Sequence, residues 1–282
     1  MMKTVDKSSK QGYKAHTALR PLTSRHRVLD NPYDSAAIDR IIWDAVDTQL
    51  QDMSPKETLI VIIGEEHYTP AHRMAQAGLL TNLALWRDEN PQDPARQFLF
   101  TIEQPYNLLS LRMQNTYFSS PLYDRLHEYD RDGRIILKTI LADNLYHCAP
   151  LSISRVFQTA LHHNITTCFN DAARDQRWLL AEDPVAKKIA ARDYGLDMTR
   201  QAIKSNSPDG MAIRNAVMVD RALEKAREQN RRIIVQHAGL DHIYGNLRKN
   251  CGYEESLTAL FGRRENCRTM AVYFDVAARN HN

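Results

Sequence analysis

Short apolar runs recur along the chain and alternate with longer stretches in which apolar residues repeat at helical spacing. Residues 59–63 form a continuous apolar run that ends at Gly64, a pattern typical of a parallel strand buried on both faces. Runs of the same kind predict further strands at residues 98–102, 134–140, 165–169, 232–235 and 269–276.

Amphipathic stretches between these runs predict the helices. Apolar residues spaced by three and four positions indicate helices over residues 38–46, 72–86, 108–117, 152–162, 184–204 and 211–228. Pro208-Asp209-Gly210 predicts a turn before the last of them. Strands that alternate with helices of this length indicate an α/β fold, with a mainly parallel β-sheet flanked by helices on both faces.

Length and composition are those of a globular chain whose basic residues are unevenly placed. The 282 residues are 43% hydrophobic and 25% charged, which allows a full core without disulfide or metal staples. The net charge is +3, but residues 1–27 contain seven basic residues and one acidic residue, a net charge of +6, so residues 28–282 carry −3. The sequence therefore predicts a basic, flexible N-terminal extension over residues 1–30 and a single α/β domain over residues 31–282.

Charge and hydropathy also bound the partners and the compartment. A body without a basic excess argues against nucleic-acid binding. The chain has no run of about 18 apolar residues, which predicts no membrane span, and no apolar segment typical of a secretory signal peptide. The four cysteines form no C-x-x-C pair. A cytoplasmic protein is therefore the default expectation. Secretion by a signal-peptide-independent route stays open, and the oligomeric state is undetermined.

Carboxylate and imidazole groups follow nearly every predicted strand. Loops and helix N-termini gather at the carboxyl ends of parallel strands, so polar groups that follow the strands converge there. Gly64-Glu65-Glu66-His67 and Gly239-Leu240-Asp241-His242 both have the form Gly-x-x-His, where chance predicts roughly 0.4 such matches in this chain. Other strands run into Glu103, Asp171 and His237. The sequence therefore predicts a functional site at this edge of the sheet.

These residue types favour hydrolytic chemistry, by one of two routes. Imidazole nitrogens and carboxylate oxygens suit a divalent metal such as Mn, Co or Zn, which activates water, and the predicted ligands are His67, Glu103 and His242. Alternatively, a His or Glu acts without metal as a general base. For each residue singly, a cap or loop contact is the competing explanation. The predicted substrate-binding residues are His72, Tyr106, Asp171 and His237.

Arg214 opens a predicted amphipathic helix and has two interpretations. Its planar guanidinium suits a carboxylate or a substrate oxyanion at the site. It equally suits a side chain that is only solvated or salt-bridged. Spacing alone does not decide between them, since both place the residue at the same point of the helix.

The order of these motifs resembles the superfamily that joins the erythromycin esterases, the ChaN-like haem-binding lipoproteins and the TIKI/TraB metalloproteases. The resemblance covers residues 59–244 and rests on the two Gly-x-x-His segments, the acid after the second strand and the helix arginine. It implies an α/β core with its site at the carboxyl ends of the strands, and hydrolysis of an ester or amide. The catalytic residues it implies are Glu65, His67, Glu103, Arg214 and His242.

The leading hypothesis is therefore a hydrolase that acts on a small-molecule or peptide substrate. In it Glu65 accepts a proton from water held by the other site residues, and Arg214 stabilises charge on the attacked carbonyl oxygen. A second hypothesis is binding of haem or another ligand without turnover, because Tyr68, Tyr106 and Tyr244 lie near the motifs. A third is a bacterial secreted effector that uses the same site, with the basic extension as a delivery signal.

Overall fold

One β-sheet organises the fold, and its strands follow the apolar runs of the sequence. A computed structural model describes residues 13–18, 35–65, 70–105, 156, 159–160, 162–175, 177–180, 183–244 and 252–274. The strands are β1 (Tyr13–Ala18), β2 (Thr58–Glu65), β3 (Phe98–Pro105), β4 (Thr167–Asp171), β5 (Ile233–Gly239) and β6 (Cys267–Phe274). Their order is β1-β6-β2-β5-β3-β4. Strands β2 to β6 are parallel, and β1 is antiparallel to β6.

Helices cover both faces of this sheet. The described ranges include α1 (Ser35–Gln51), α2 (Pro70–Asp88), α3 (Pro184–Tyr194), α4 (Pro208–Glu228), α5 (Leu240–Tyr244) and α6 (Leu257–Gly262). Successive side chains of a strand point to opposite faces. Ile63 accordingly packs in one core with Leu80 of α2, whereas Ile62 packs in another with Met218 of α4. The predicted α/β fold, a mainly parallel sheet between two helical layers, is confirmed.

The strand order places a topological switch point, called here the crevice, at the carboxyl end of β5. The crossover from β2 to β3 carries α2 on one face, and the crossovers that lead to β5 and then β6 carry α4 and α6 on the other. Crossovers that run in opposite directions along a sheet leave their helices on opposite faces when they share one hand. β2 and β5 are neighbours in the sheet, but the chain leaves β2 toward β3 and leaves β5 toward β6, in the opposite direction. The segments that follow these two strands therefore diverge to opposite faces. Such a divergence is the usual place for a ligand in an open α/β sheet.

β1 comes from the segment that the sequence predicts as a flexible extension. Tyr13–Ala18 pairs with β6, with Tyr13 opposite Phe274 and Ala18 opposite Thr269. These six residues therefore belong to the sheet, and the remainder of residues 1–30 lies outside the described residues. The predicted strand at 134–140 and helix at 108–117 also lie outside them.

Two helix boundaries differ from the sequence prediction for local reasons. The helix expected over residues 184–204 ends at Tyr194, because Gly195 adopts a left-handed backbone with φ of 64° and caps it. The turn expected at Pro208 is instead the first turn of α4. Ser207 caps that helix by accepting the backbone N–H of Gly210 at 3.2 Å, and Pro208 needs no hydrogen bond there. No helix in the described part of the chain is long and apolar enough to span a membrane.

Candidate functional site

Two glutamates flank the end of β5 at the carboxyl edge of the sheet. The register places Glu65 of β2 opposite Gly239, the last residue of β5. On the other side of β5, Ile102 is opposite His237, so Glu103 lies beside the strand one position further along. Because two strand spacings separate β2 from β3, the Cα atoms of the two glutamates are roughly 10 Å apart.

The pleat of the strands sends these two glutamates to opposite faces. Glu65 is two residues beyond Ile63, on the α2 side, and contacts Arg73 of α2. Glu103 is four residues beyond Leu99, on the α4 side, and contacts Arg214 of α4. The residues that the sequence expects in one shared site therefore fall into two clusters, which the edge of the sheet separates.

The first cluster, called here the α2-face cluster, consists of Glu65, Arg73, Gln76 and His237. Arg73 Nη2 lies 2.8 Å from Glu65 Oε1, and His237 Nε2 lies 3.0 Å from Glu65 Oε2. Gln76 Nε2 donates to Oε2 at 3.4 Å. The side chain of Glu65 is 0% exposed, so its carboxylate is enclosed by donors and has no contact with bulk water. This geometry does not suit the general-base role predicted for Glu65; it holds α2 against the sheet.

His72 and His237, both predicted to bind substrate, also lie on this face in buried positions. His72 is 0% exposed and is four residues before Gln76, on the same side of α2. His237 is a residue of β5 itself, and its side chain points beneath α2 rather than out of the strand end. The structure thus brings His237 together with Glu65, a pairing that the sequence did not predict.

The second cluster, called here the α4-face cluster, consists of Glu103, Asp171, Arg214, Asn215 and His242. Arg214 Nη2 lies 2.7 Å from Glu103 Oε1 and 2.7 Å from Asp171 Oδ2. His242 Nε2 lies 2.9 Å from Glu103 Oε1. The backbone N–H of Gly239 donates to Glu103 Oε2 at 2.7 Å. This cluster therefore joins the ends of three strands to α4 and α5 at the crevice.

Arg214 of α4 bridges the two carboxylates of this cluster, Glu103 and Asp171. Its Nε donates to both oxygens of Asp171, at 3.0 and 3.1 Å, and its side chain is 3% exposed. A guanidinium in a planar fork matches a carboxylate in this way. Of the interpretations of Arg214, the structure shows the salt-bridged side chain, which is buried rather than solvated and holds Glu103 and Asp171.

Asp171 is held by further arginines that the sequence did not suggest. The guanidinium of Arg174 contacts its carboxylate, and Arg221 Nη1 donates to its backbone carbonyl at 2.7 Å. Burial, followed by the charge of Arg214, lowers the pKa of Arg174 to about 9. Because these donors surround Asp171, it anchors the cluster and is not open to a substrate. Residues such as Arg174 carry no periodic signal, since their burial depends on loops packing after β4.

The electrostatics of the cluster centre on Glu103 and His242. Burial alone would raise the pKa of Glu103, but His242, Arg214 and the Gly239 N–H outweigh it and hold that pKa well below its usual range. Burial lowers the pKa of His242, and the Glu103 carboxylate acts against this. The result is an ionised carboxylate beside a buried imidazole, and perturbed pairs of this kind are typical of functional sites.

Both ring nitrogens of His242 face hydrogen-bond acceptors. Nε2 faces Glu103, and Nδ1 contacts Oδ1 of Asn215, whose Nδ2 donates to the carbonyl of Glu255 at 2.7 Å. Among the described residues no group of three His, Cys, Asp or Glu side chains is arranged to hold a metal ion. His67 lies outside those residues, so the predicted metal set of His67, Glu103 and His242 stays a prediction.

The other site residues predicted from the sequence are not in the part of the chain that the structure describes. Tyr106 and Tyr68 lie outside it, as does the side chain of Tyr244. The haem-binding hypothesis, which depends on these tyrosines, therefore stays a prediction. Comparison with family models, curated proteins and solved structures finds no match to this chain. The resemblance to the esterase superfamily likewise stays a prediction.

Proposed function

We propose that this chain is a hydrolase that cleaves an ester or amide bond, with the Glu103–His242 pair of the α4-face cluster as its acid–base group. The observation that carries the proposal is the 2.9 Å contact between this carboxylate and this imidazole, at the crevice beside the end of β5. Ligands of open α/β sheets bind at such crevices. Ester and amide hydrolysis needs one group there that takes a proton from water and later returns it.

The charges around the pair suit it to act first as a base. Burial lowers the pKa of His242, which favours the neutral ring at rest. Arg214 and the Gly239 N–H keep Glu103 ionised, and an adjacent carboxylate stabilises the imidazolium that forms when the ring accepts a proton. Arg214 therefore acts on the reaction by holding Glu103.

The proposed reaction consumes one water and regenerates the pair. Water attacks the carbonyl carbon of the substrate while its proton passes to the Glu103–His242 pair. The bond from the carbonyl carbon to the leaving oxygen or nitrogen then breaks, and the pair returns the proton to that atom. The products are a carboxylic acid and an alcohol or amine.

Access to the pair is through Glu103. Its side chain is 10% exposed, compared with 4% for His242, 3% for Arg214 and 0% for Asp171. Water or substrate therefore meets the carboxylate first and the imidazole behind it. His67, which follows β2 in the sequence and lies outside the described residues, stays the residue we expect to help position the water.

The test is hydrolysis by the full chain and by His242→Gln. The substrates are p-nitrophenyl esters of increasing acyl length and a mixture of fluorogenic peptides. We expect His242→Gln to lower kcat by about 10²- to 10⁴-fold, the range for loss of a general base. The matched control is His162→Gln, because His162 is an exposed histidine before β4, at the opposite edge of the sheet. Equal rates for the two variants, or no hydrolysis of either substrate class by the full chain, would contradict the proposal.

A further inference from the structure

We propose that Asn215 is a positioning residue that fixes the tautomer of His242, so that the neutral ring carries its proton on Nδ1 and turns a bare Nε2 toward Glu103. The use of this tautomer in catalysis rests on the proposed function. The tautomer itself belongs to the resting protein and is measurable without turnover.

The orientation of the Asn215 amide is set by a backbone carbonyl. Asn215 is 0% exposed, and its Nδ2 lies 2.7 Å from the carbonyl oxygen of Glu255. A carbonyl oxygen only accepts hydrogen bonds, so the NH₂ end of the amide must face it. The other end, Oδ1, then faces Nδ1 of His242. Because Oδ1 also only accepts, Nδ1 must be the nitrogen that carries a hydrogen.

A count of protons along this row of groups shows where one is lacking. The row runs from the Glu255 carbonyl through Asn215 and His242 to the Glu103 carboxylate, and it contains three contacts. Each contact needs one proton between its two atoms. The amide supplies one, and a neutral imidazole supplies one. The contact without a proton is therefore the last, between His242 Nε2 and Glu103 Oε1.

This empty position is where a proton from water is taken up. Arg214 Nη2 and the Gly239 N–H donate to Glu103 as well, so each carboxylate oxygen already has a donor besides His242. Arrival of that proton completes all three hydrogen bonds of the row, which favours the imidazolium against the cost of burial. Without the Asn215 acceptor, the neutral ring would place its own proton on Nε2 to satisfy Glu103, and the acceptor position would be filled at rest.

The anchor of this row is a main-chain group, which explains why no residue pattern reveals it. The Glu255 carbonyl belongs to the 3₁₀ turn Tyr253–Glu255, directly before α6. Ser256 caps α6 by accepting the backbone N–H of Ala259 at 3.3 Å. Thr258 of the same helix donates to the Ile243 carbonyl of α5 at 2.6 Å. These bonds fix the turn relative to the helix that carries His242.

The first measurement is the ¹⁵N spectrum of the full chain labelled in its histidine rings. The His242 signals are those that disappear in His242→Gln. We expect a protonated shift at Nδ1 and an unprotonated shift at Nε2 in the neutral ring. In Asn215→Leu we expect the proton on Nε2 instead. Asn90→Leu replaces an exposed asparagine of a turn after α2 and should leave the wild-type pattern unchanged.

A second variant keeps the test decisive if Asn215→Leu does not fold. Asn215→Asp retains an oxygen acceptor opposite Nδ1 of His242. In this variant the His242 ring should keep the proton on Nδ1, even though the bond to Glu255 is lost. A neutral ring with its proton on Nε2 in the unaltered chain would overturn the assignment. So would an Nδ1 proton that persists in Asn215→Leu.

Kinetics separate the tautomer from the proposed function. If His242 is the base, Asn215→Leu should lower kcat on the ester substrate by about ten- to a hundredfold while KM changes little, since the residue acts through His242 and touches no substrate. Asn215→Asp should retain more of the rate than Asn215→Leu. A change of tautomer with an unchanged kcat would leave the assignment of the proton intact and refute the proposed use of His242 in catalysis.

Discussion

The two clusters at the carboxyl edge contain the same three residue types in mutual contact, one Glu, one Arg and one His, yet they are built differently. In the α2-face cluster the glutamate is 0% exposed, and its histidine is a residue of β5 itself. In the α4-face cluster the glutamate is 10% exposed, and its histidine is on α5, which follows β5 directly. The first cluster is covered by a long helix, whereas the glutamate of the second keeps a small exposed edge.

The difference teaches that residue type and position along a strand do not by themselves indicate function. A buried ion pair enclosed on every side contributes to the packing of a helix, and its energetic worth is small unless one partner is removed. In the proposed function, the similar pair with an exposed edge, backed by Arg214 and Asn215, exchanges a proton with a bound molecule. We therefore expect changes in the α2-face cluster to act mainly on stability and changes in the α4-face cluster to act mainly on activity.

The largest expected effect concerns the two glutamates. Glu103→Gln should lower kcat on the ester substrate by about 10²- to 10⁴-fold, because the amide cannot stabilise an imidazolium. Glu65→Gln should lower the rate per folded molecule far less, since its carboxylate has no access to water. Rates are measured on protein whose folded fraction is checked by circular dichroism. Equal losses in the two variants would remove the distinction between the clusters.

The next effect is on the stability of the α2-face cluster. Arg73→Leu removes the arginine that pairs with the buried Glu65 and should lower the free energy of unfolding by about 3–5 kcal/mol. Urea denaturation measures this. The matched control is Arg177→Leu, since Arg177 pairs with Asp175 but is 79% exposed, and its loss should cost less than about 1 kcal/mol. A loss in the control as large as that in Arg73→Leu would argue against the enclosed pair as the cause.

A smaller effect is expected at the support of the α4-face cluster. Asp183 Oδ1 caps α3, and Asp183 Oδ2 lies 2.8 Å from Nη2 of Arg221, the residue that holds the Asp171 carbonyl. Asp183→Ala should lower the free energy of unfolding by about 1–3 kcal/mol through loss of the cap and of the pair. Asp197→Ala, which removes an exposed aspartate of a turn, should leave stability nearly unchanged. Thermal melts of both variants check this. A melting temperature of Asp183→Ala equal to that of the unaltered chain would show that the cap and the pair with Arg221 do not contribute to stability.

The smallest expected effect is a pH-dependent change in stability at the contact between α1 and α2, away from both clusters. Asp39 of α1 lies over Gly78 of α2, and burial raises its pKa from 3.8 to about 6. Its folded pKa is the higher one, so the native state loses stability as the pH rises from about 3.8 through 6. Asp39→Asn should therefore raise the free energy of unfolding by about 1 kcal/mol above pH 6 and leave it unchanged below pH 3.8. The figure is reduced for solvent screening, because the group is only half-buried. Urea denaturation at the two extremes tests this, and an unchanged rate of hydrolysis is expected.

Strands β2 to β6 and the longer helices could be predicted from the sequence because their signals are local, whereas β1, in the segment predicted to be flexible, could not. Residues 59–63 are apolar without interruption, and β2 is buried on both faces over that run. The places of Glu65, Glu103, Asp171 and His242 at strand ends followed from the same signal. Their partners did not follow, because contacts such as Glu65 with His237 join residues from different strands and depend on register.

Buried polar residues of α4 show the same limit. Arg214 and Asn215 are consecutive, and both are almost fully buried in the helix that packs on β5. Helical periodicity would place two consecutive residues about 100° apart and does not say that both face polar partners. Asn215 gained its partner from the main chain of Glu255, 40 residues away, and main-chain groups leave no trace in residue type.

By itself the sequence determined strands β2 to β6, the longer helices α1 to α4 and the edge of the sheet at which carboxylates and imidazoles gather, since each of these depends on neighbours within a few residues. Only the tertiary structure decided that β5 lies between β2 and β3, and that Glu65 and Glu103 therefore face opposite helical layers. The physical reason is that the pleat alternates every residue. Distant crossovers and packing set the order and register of the strands. Order and register thus determine which charged side chains come into contact.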